Sequence, residues 1–254
     1  MNKYDFDGRM AIVTGGAQGI GHAVAEELAK GGARVAIWDT DFELASKTAK
    51  DLGDGSLSVK VDIANWSSVE AAYRKTKDAF GRVDIMVNSA GIAGSNAPVA
   101  DYPVEEFHQI VAVNLLGAFH VNKVVAANMR EQNYGRIVNI ASRALLGKTH
   151  RTAYSGSKGG IASMGRVWAL ELAQYGVTVN NIGPGPIATE LFKQANPPNM
   201  PRTQEIIGTI PVGRLGEPED IAQAASFFMD EKSGFISGQT LFVCGGISLA
   251  RGGS

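Results

Sequence analysis

Short apolar runs alternate with segments of helical periodicity along almost the whole chain. The apolar runs have the length and bounds of buried strands, and they lie at 10–14, 34–38, 57–61, 83–87, 136–141, 177–182 and 239–243. The helical segments lie between them, at 22–30, 42–52, 69–80, 104–129, 153–175 and 218–229. This regular alternation predicts an α/β fold with a parallel sheet and right-handed crossovers.

One stretch departs from the alternation. Residues 183–218 are rich in proline and polar residues, which is typical of a mobile lid or binding segment. No linker or break in composition is visible elsewhere, so we expect residues 1–254 to form a single domain. Its substrate lid is expected at about 184–217.

A glycine-rich turn follows the first strand. Gly15, Gly19 and Gly21 precede a helix, and glycines in that context allow a pyrophosphate to approach backbone N–H groups at the helix N-terminus. Asp39 ends the second strand, 20 residues after Gly19, where a carboxylate can accept both hydroxyls of a ribose and would repel a 2′-phosphate. The position beside it is Thr40, and Gln18 also carries no positive charge, which favours NAD over NADP. Alternatively, Asp39 is the N-cap of the next helix, a role that the neighbouring Asp41 could also serve.

The candidate chemistry lies between residues 142 and 158. Tyr154 and Lys158 are four residues apart, which places them on one face of a helix, and Ser142 follows the strand at 136–141. A phenol has a pKa of about 10, and an ammonium at about 4 Å could lower it toward neutrality. We therefore expect Tyr154 to act as general acid or base, with Ser142 bonded to the substrate oxygen. Tyr73 has the same spacing to Lys77, but it lies in a charged run that is interpreted as a solvated helix face without chemistry.

Composition narrows the function classes. Hydrophobic residues make up 44% and charged residues 19% of the chain, and the formal net charge is −1. These values are ordinary for a soluble globular protein and give no general attraction to nucleic acid or anionic membrane. The single Cys244, the charged N-terminal residues and the absence of an apolar run near 18 residues predict a cytoplasmic protein without a signal peptide or membrane span. No metal site is predicted.

The chain resembles the short-chain dehydrogenase/reductases of the single-domain type, and the likeness covers nearly all of it. The matching pieces, in order, are Thr14–Gly21, Asp62-Ile63, Asn88–Gly91, Asn114, Ser142, Tyr154 with Lys158, Pro184–Thr189 and Arg214–Pro218. The resemblance implies a Rossmann-like, doubly wound parallel sheet of about seven strands with helices on both faces. It also implies a homotetramer.

The same resemblance implies the roles of individual residues. Tyr154 is the catalytic acid or base, Lys158 lowers its pKa and binds the nicotinamide ribose, Ser142 holds the substrate oxygen, and Asn114 anchors a water. The implied cofactor contacts are Gly15, Gln18, Gly19, Ile20, Gly21, Asp39, Asp62, Ile63, Asn88, Ala90, Gly91, Tyr154, Lys158, Pro184, Gly185, Ile187 and Thr189. Simpler interpretations exist: Asn114 is a satisfied polar group of a helix, Asp62 a turn residue, and Thr189 a helix cap.

One departure from the family pattern bears on the substrate, and one matching spacing bears on the reaction. Ser142 lies 12 positions before Tyr154, one fewer than is common, which affects the shape of the pocket more than its chemistry. The Tyr154–Lys158 spacing disfavours an enoyl reductase, in which the two residues are further apart.

The expected activity is an NAD(H)-dependent oxidoreductase acting on a secondary alcohol or ketone. The alternatives are an NADPH-dependent 3-oxoacyl-type ketoreductase and a non-catalytic NAD-binding protein. Apolar walls are expected from Ala144, Leu145, Leu146, Leu191 and Phe192. Cationic residues of the same loop are Arg143, Lys148, His150 and Arg151. Among them Arg151 is expected to face the pocket and bind an anionic substrate; the alternative is a solvated loop or a subunit contact.

Overall fold

The predicted strands form one parallel sheet. A computed structural model describes residues 4–197 and 200–249, with only the backbone described for Leu191, Gln194 and Ala195. The strands are β1 (Met10–Thr14), β2 (Arg34–Asp39), β3 (Leu57–Lys60), β4 (Ile85–Asn88), β5 (Gly135–Ile140), β6 (Val177–Pro184) and β7 (Thr240–Val243). Their order in the sheet is β3-β2-β1-β4-β5-β6-β7, and each neighbouring pair is parallel. The predicted α/β fold is therefore confirmed, and its order reverses between β1 and β4, where open sheets of this kind bind ligands.

Helices cover both faces of the sheet. They are α1 (Gly19–Lys30), α2 (Phe42–Asp51), α3 (Trp66–Phe80), α4 (Val104–Ile110), α5 (Gly117–Gln132), α6 (Thr152–Leu172), α7 (Glu190–Ala195), α8 (Pro201–Gly208) and α9 (Pro218–Met229). One core packs α1, α2 and α9 on the sheet, and the other packs α3, α5 and α6. Along β1, Ala11 and Val13 belong to the first core and Ile12 to the second, because successive side chains of a strand point to opposite faces.

Several predicted boundaries shift by a few residues. Helix α1 begins at Gly19 rather than His22, and α3 begins at Trp66 rather than Val69. Asn65 caps α3, because its side chain accepts a hydrogen bond from the Ser68 N–H at 3.0 Å. First turns of helices carry caps and polar residues rather than apolar ones, so hydrophobic periodicity finds their starts late.

The segment at 184–217, predicted to be a substrate lid, contains regular secondary structure. It holds the two short helices α7 and α8. Thr189 caps α7 by accepting from the Phe192 N–H at 3.2 Å, and α8 starts at a proline, which suits the first turn of a helix. Two main-chain hydrogen bonds join the ends of this segment, and we call them its neck. Ala188 N–H donates to the Gly216 carbonyl at 2.7 Å, and Gly216 N–H donates to the Pro186 carbonyl at 3.0 Å.

One helix bears on the expectation that the chain has no membrane span. Residues Val104–Gln132 form a continuous 29-residue helix that is apolar and long enough to cross a membrane, by length and composition only, with a mean hydropathy of 1.6 over the most apolar window. Counting uninterrupted apolar runs misses it because Asn114, His120 and Asn122 break the run. Forty-four per cent of that window is buried, as in the core helix of a globular fold, and Val121, Val125 and Met129 pack in the second core.

Candidate active site at the ends of β4 and β5

Ser142 lies two residues beyond the end of β5 and faces Tyr154. The Ser142 hydroxyl accepts from the Ala144 N–H at 3.1 Å and so caps the 3₁₀ turn Arg143–Leu146. The same side chain hydrogen-bonds the Tyr154 hydroxyl. The structure therefore brings together the two residues that the sequence places 12 positions apart, despite the shortened loop.

Tyr154 and Lys158 lie on one face of α6, but their pKa values differ from the sequence expectation. Burial raises the pKa of Tyr154, and its hydrogen bond with Ser142 and the charge of Arg151 lower it only in part. Burial also lowers the pKa of Lys158 to about 8. The Lys158 ammonium lies 5.9 Å from the Tyr154 ring centroid and donates to the Ile140 carbonyl at 2.8 Å. The pKa of Tyr154 is thus raised in this structure rather than lowered as expected, because desolvation outweighs the hydrogen bond with Ser142 and the charge of Arg151.

Asn114 is held in the π-helical segment Val111–Leu116, between α4 and α5. Its amide accepts from the Ile92 N–H at 2.8 Å and donates to the Ile92 carbonyl at 2.9 Å and to the Ser157 hydroxyl at 3.2 Å. These bonds agree with the simpler interpretation of a satisfied helix group. A methyl group added at Gly91 would lie 3.1 Å from the Asn114 amide oxygen and 3.3 Å from the Lys158 nitrogen. Asn114 and Lys158 therefore flank the same point on the backbone.

The glycine turn has the shape that a pyrophosphate requires. A β-carbon at Gly21 would lie 2.2 Å from the Gly15 carbonyl oxygen, so only glycine allows this close approach. The N-cap Gln18 makes no side-chain capping bond, and the first turn of α1 holds no acidic residue. The N–H groups at this helix end can therefore bind an anion, whereas the Ile20 side chain packs on the first core.

Asp39 points back to the glycine turn. Its carboxylate accepts from the Ala17 N–H at 3.2 Å and from the Asp41 N–H at 3.1 Å. The N-cap of α2 is Asp41, which accepts from the Leu44 N–H at 3.0 Å. The alternative interpretation of Asp39 as that N-cap is therefore wrong, and its carboxylate stands beside the turn that would hold a cofactor.

The end of β4 lies against the same turn. The Thr14 hydroxyl accepts from the Ser89 N–H at 3.1 Å and from the Ala90 N–H at 3.2 Å. These bonds hold the backbone from Asn88 to Gly91 across the top of β1. The segment from Asn88 to Gly91, which is expected to contact the cofactor, thus lies between the glycine turn and Lys158.

The two residues expected at the adenine differ in exposure. Asp62 is exposed, and its carboxylate accepts from the Ala64 N–H at 3.0 Å, as the turn interpretation states. The Ile63 side chain is buried in the second core, where it packs against Gly117.

The start of the lid reaches the glycine turn from the opposite side. Gly185 N–H donates to the Val243 carbonyl at 2.9 Å, which continues the register of Pro184 beside β7. Ile187 is buried in the neck. A β-carbon at Gly19 would touch the Thr189 methyl group at 3.4 Å. Thr189, one of the implied cofactor contacts, therefore lies next to the glycine turn, although it is also a helix cap.

A row of buried amides below the site has no counterpart in the sequence analysis. Asn88 donates to Asn139 at 2.9 Å, Asn139 donates to Asn181 at 3.0 Å, and Asn181 donates to the Thr240 hydroxyl at 3.3 Å. The four residues are register partners across β4, β5, β6 and β7. Asparagines inside predicted strands at 136–141 and 177–182 are the only sequence signal, since a buried amide must find partners.

The loop before α6 differs from its expected role. Ala144 is buried, Leu145 is half-buried and Leu146 is exposed. Phe192 is half-buried, and the Leu191 side chain lies outside the described part of the structure. The loop therefore offers less apolar wall than expected.

Arg151 is committed to the backbone of the β4–α4 connection. Its guanidinium donates to the Ala93 and Gly94 carbonyls at 3.0 and 2.9 Å, and the Ala97 N–H donates to the His150 carbonyl at 3.1 Å. The start of α6 is thereby tied to the segment that follows Gly91.

Tyr73 is a packed side chain rather than a solvated one. It lies against the second core, and burial, together with Glu131, raises its pKa to about 12. The expectation that it lies on a solvated face is wrong, because the apolar ring of a charged helix segment still turns toward the core. No chemistry is indicated for it.

A cavity of about 210 Å³ lies behind the lid rather than at Tyr154. Its lining includes Ile187, Ile210, Val212, Asp220 and Cys244. The lining is mostly apolar and belongs to the neck of the lid and the turn after β7. We place the candidate chemistry at Ser142 and Tyr154 because their hydroxyls meet there, whereas the cavity holds no such pair among the residues described.

The chain is similar to known proteins over nearly its whole length. The family described as "Enoyl-(Acyl carrier protein) reductase" matches residues 15–248. The chain is 40% identical over 247 residues, 96% of its length and 98% of the relative's, to the (2S)-[(R)-hydroxy(phenyl)methyl]succinyl-CoA dehydrogenase subunit BbsD of Thauera aromatica.

Two solved structures are similar over almost their whole length. A 3-ketoacyl-(acyl-carrier-protein) reductase from Brucella melitensis complexed with NADH has a TM-score of 0.90 and 32% identity, covering 96% of this chain and 100% of that one. An NAD⁺-bound xylitol dehydrogenase has a TM-score of 0.90 and 33% identity, covering 95% of this chain and 99% of that one. The chain belongs to the short-chain dehydrogenase/reductase family. It is an oxidoreductase of that family, whose enzymes use a nicotinamide cofactor.

Proposed function

We propose that the protein is an NAD(H)-dependent oxidoreductase that interconverts a secondary alcohol and a ketone, with Tyr154 as general acid and base. The observation that carries the proposal is the buried Lys158, whose ammonium lies 5.9 Å from the Tyr154 ring centroid and donates to the carbonyl of Ile140, two residues before Ser142, at 2.8 Å. The Ser142 side chain acts on the same phenol, because it lowers the pKa of Tyr154. Two hydroxyls that meet at one point can both bond a single carbonyl or alcohol oxygen. The bound nicotinamide would accept or supply the hydride.

The chain's own residues handle the proton. In ketone reduction Tyr154 donates its proton to the substrate oxygen while Ser142 bonds that oxygen. Because burial raises the pKa of Tyr154, the phenol is protonated at neutral pH, which is the form an acid needs. In alcohol oxidation Tyr154 takes the proton, so this direction requires the phenolate and favours higher pH. Lys158 carries its positive charge beside Tyr154 in both directions of the reaction. Asn114 links the π-helical segment Val111–Leu116 to Ile92.

We infer NAD rather than NADP from the place of Asp39. Its carboxylate is fixed by two backbone N–H groups at the glycine turn. A ribose with two free hydroxyls can donate to it, whereas a 2′-phosphate would be repelled. The glycine turn, the floor from Asn88 to Gly91 and Thr189 would hold the rest of the dinucleotide.

The test is NADH formation with purified protein over a panel of secondary alcohols, polyols and hydroxy acids, repeated with NADP⁺. We expect turnover with NAD⁺ and a preference of NAD⁺ over NADP⁺ in kcat/KM. NAD⁺ binding without turnover of any substrate, in either direction, would support a non-catalytic protein instead.

A second candidate is an NADPH-dependent 3-oxoacyl-type ketoreductase. The likeness to the 3-ketoacyl-(acyl-carrier-protein) reductase favours a 3-oxoacyl substrate, but that structure is complexed with NADH, and Asp39 argues against NADPH. The four-residue spacing of Tyr154 and Lys158 favours carbonyl reduction over enoyl reduction in either case. Reduction of acetoacetyl-CoA, followed separately with NADPH and NADH, separates the two proposals.

We also propose a homotetramer of single-domain subunits, located in the cytoplasm. Leu170 is 82% exposed on α6, and the neighbouring helix exposes Leu116 and Phe119. Such a patch on a folded chain is typical of an interface with a second copy. Phe235 is fully exposed near the edge strand β7 and supplies a second surface. Light scattering should give four subunits for the wild type and fewer for Leu170→Asp.

A further inference from the structure

His120 of helix α5 is buried against the turn that follows β3. Its exposure is 8%, and its Nδ1 lies 2.9 Å from the Ile63 carbonyl oxygen. A carbonyl oxygen can only accept, so Nδ1 carries the proton and donates to it. The turn is at 62–65, where the Asn65 N–H donates to the Asp62 carbonyl at 3.1 Å. A buried histidine outside the candidate chemistry thus joins α5 to a turn 57 positions earlier in the chain.

Aromatic rings fix the orientation of the His120 imidazole. The centroid of the Trp66 ring lies 5.5 Å from that of the imidazole, and the centroid of the Phe119 ring lies 6.1 Å from it. The Lys123 ammonium lies 5.0 Å from the Trp66 ring and 5.9 Å from the Phe119 ring, distances at which a cation is attracted to an aromatic face. Because these neighbours hold the imidazole in place, His120 presents Nδ1 to Ile63 in one orientation.

Helix α5 contacts the same turn at a second point. A β-carbon added at Gly117 would lie 2.7 Å from Cγ1 of Ile63. Gly117 and His120 are three positions apart, which places them on one face of the helix. Ile63 itself is 6% exposed and packs in the second core. The helix therefore holds both the side chain and the carbonyl group of Ile63.

Two hydrogen-bonding groups of the turn remain for a ligand. The Ile63 N–H has no hydrogen-bond partner among the residues that the structure describes, which is unusual for a buried donor. The Asp62 carboxylate is exposed and accepts from the Ala64 N–H at 3.0 Å, and a carboxylate can accept several bonds. A donor beside an acceptor matches the edge of adenine, which presents a ring nitrogen that accepts and an amino group that donates.

The turn also lies where the adenine of a bound dinucleotide would be. The Val61 N–H donates to the Asp39 carbonyl at 2.9 Å, and the Asp39 carboxylate at the glycine turn is proposed to hold the ribose. The base is bonded to the ribose carbon next to the one that carries the 2′-hydroxyl. A base on a ribose that Asp39 holds is therefore within reach of Asp62 and Ile63.

We propose that His120 is a positioning residue for the cofactor. By holding the Ile63 carbonyl, it places the Ile63 N–H and the Asp62 carboxylate for the adenine, and so sets the preference for adenine over other purines. The inference rests on the proposed use of NAD. Because the turn is at the adenosine end of the site, the effect belongs to cofactor binding rather than to the chemical step.

The first test measures cofactor binding by calorimetry and needs no turnover. The ligands are NAD⁺, ADP-ribose, which keeps the adenosine half, and nicotinamide hypoxanthine dinucleotide, in which a carbonyl replaces the amino group of adenine. A net hydrogen bond corresponds to about threefold to tenfold in affinity. We therefore expect His120→Leu to weaken NAD⁺ and ADP-ribose by one common factor of at least about three. The weaker affinity for the hypoxanthine dinucleotide should stay nearly unchanged, so that the preference for adenine falls.

The second test separates positioning from packing. In His120→Asn the amide nitrogen is the same number of bonds from the main chain as Nδ1, so this variant should recover NAD⁺ affinity and the preference for adenine. His120→Gln, whose amide nitrogen is one bond further out, should not. Gly117→Ala should lower the preference for adenine by displacing Ile63. The control His108→Leu removes an exposed histidine of α4 and should bind all three ligands like the wild type.

The outcomes distinguish this proposal from the proposed function. An unchanged preference for adenine in His120→Leu, even with a lower melting temperature, would overturn the proposal and assign His120 to packing alone. Equal affinities in His120→Asn and His120→Gln would overturn it as well, and that comparison decides the matter if His120→Leu does not fold. Either result leaves the oxidoreductase in place. NAD⁺ binding without turnover of any substrate would overturn the oxidoreductase but not the role of His120, because calorimetry still reports it.

Discussion

Lys158 donates a hydrogen bond of 2.8 Å to the carbonyl of Ile140, the last residue of β5. The bond ties helix α6, which carries Tyr154, to the strand that leads to Ser142. It also holds an ammonium group in a site with 4% exposure. The buried position of Lys158, which is proposed to serve the reaction, therefore disfavours the charged form of its side chain.

We expect Lys158→Met to be more stable than the wild type at pH 7. We expect most of this gain to be lost at pH 10.5. The pKa of Lys158 is about 8 in the folded protein and 10.5 ordinarily. Between these values the unfolded chain binds more protons, so wild-type stability rises with pH there; below pH 8 the penalty for burying the charge is fully present. A difference of about 2.5 pKa units corresponds to roughly 3 kcal/mol, and the lost bond to Ile140 offsets about 1 kcal/mol.

Urea unfolding of wild type and variant at several pH values measures this effect. The stability difference between the two proteins should move by about 2–3 kcal/mol in favour of the wild type as pH rises from 7 to 10.5. A difference that stays constant over this range would show that Lys158 titrates normally in the folded state.

Tyr154→Phe is expected to reduce turnover at least about a hundredfold, the lower range for general acid–base catalysis, and to leave NAD⁺ affinity nearly unchanged. The change removes only the hydroxyl that meets Ser142. Tyr73→Phe is the matched control, because Tyr73 has the same spacing to a lysine but packs in the second core. Steady-state kinetics and NAD⁺ titration on both variants provide the measurement. Comparable losses in the two variants, or substantial activity in Tyr154→Phe, would remove Tyr154 from its role.

Asp39→Ala is expected to weaken NAD⁺ and to improve NADP⁺, because it removes the carboxylate that would repel a 2′-phosphate. Asp41→Ala is the control. It removes the N-cap of α2 and should cost about 1 kcal/mol of stability without changing the preference between cofactors. Kinetics with both cofactors test the pair. If the wild type already prefers NADP⁺, the argument from charge at Asp39 is wrong.

Asn139→Leu is expected to destabilise the protein by about 2–5 kcal/mol. The substitution leaves the Asn88 amide donor and the Asn181 acceptor unpaired, and a buried unsatisfied group costs about 1–3 kcal/mol. Thr240→Val removes only the hydroxyl that accepts from Asn181 at the end of the row, so it should destabilise the protein less. Gly165→Ala should also destabilise, since its β-carbon would lie 2.6 Å from the Asn181 amide oxygen. Equal unfolding midpoints for Asn139→Leu and the wild type in urea would contradict the account of the row.

The fold follows closely from the sequence, because its signals are local. The predicted strand at 10–14 and the helix at 218–229 match the structure residue for residue, since short apolar runs and a proline start are properties of neighbouring residues. The helices α7 and α8 were missed because each is shorter than three turns and lies among prolines, so periodicity has too few residues to register.

The candidate site was predictable as a set of residues but not as an electrostatic environment. Spacing places Tyr154 and Lys158 on one face, yet the sequence cannot show how deeply each is buried, and burial decides the direction of both pKa shifts. Roles for these residues stay predictions until the variants are measured.

The neck of the lid has a consequence for how such a protein could change its substrate. The bonds between Ala188 and Gly216, and between Gly216 and Pro186, use only main-chain atoms. Whatever side chains occupy the residues between them, these bonds can form, and the entropy of closing such a loop grows slowly with its length. The segment from Thr189 to Leu215 could therefore be lengthened, shortened or replaced by the same segment of a relative. The sheet and the Ser142–Tyr154 pair would stay where they are.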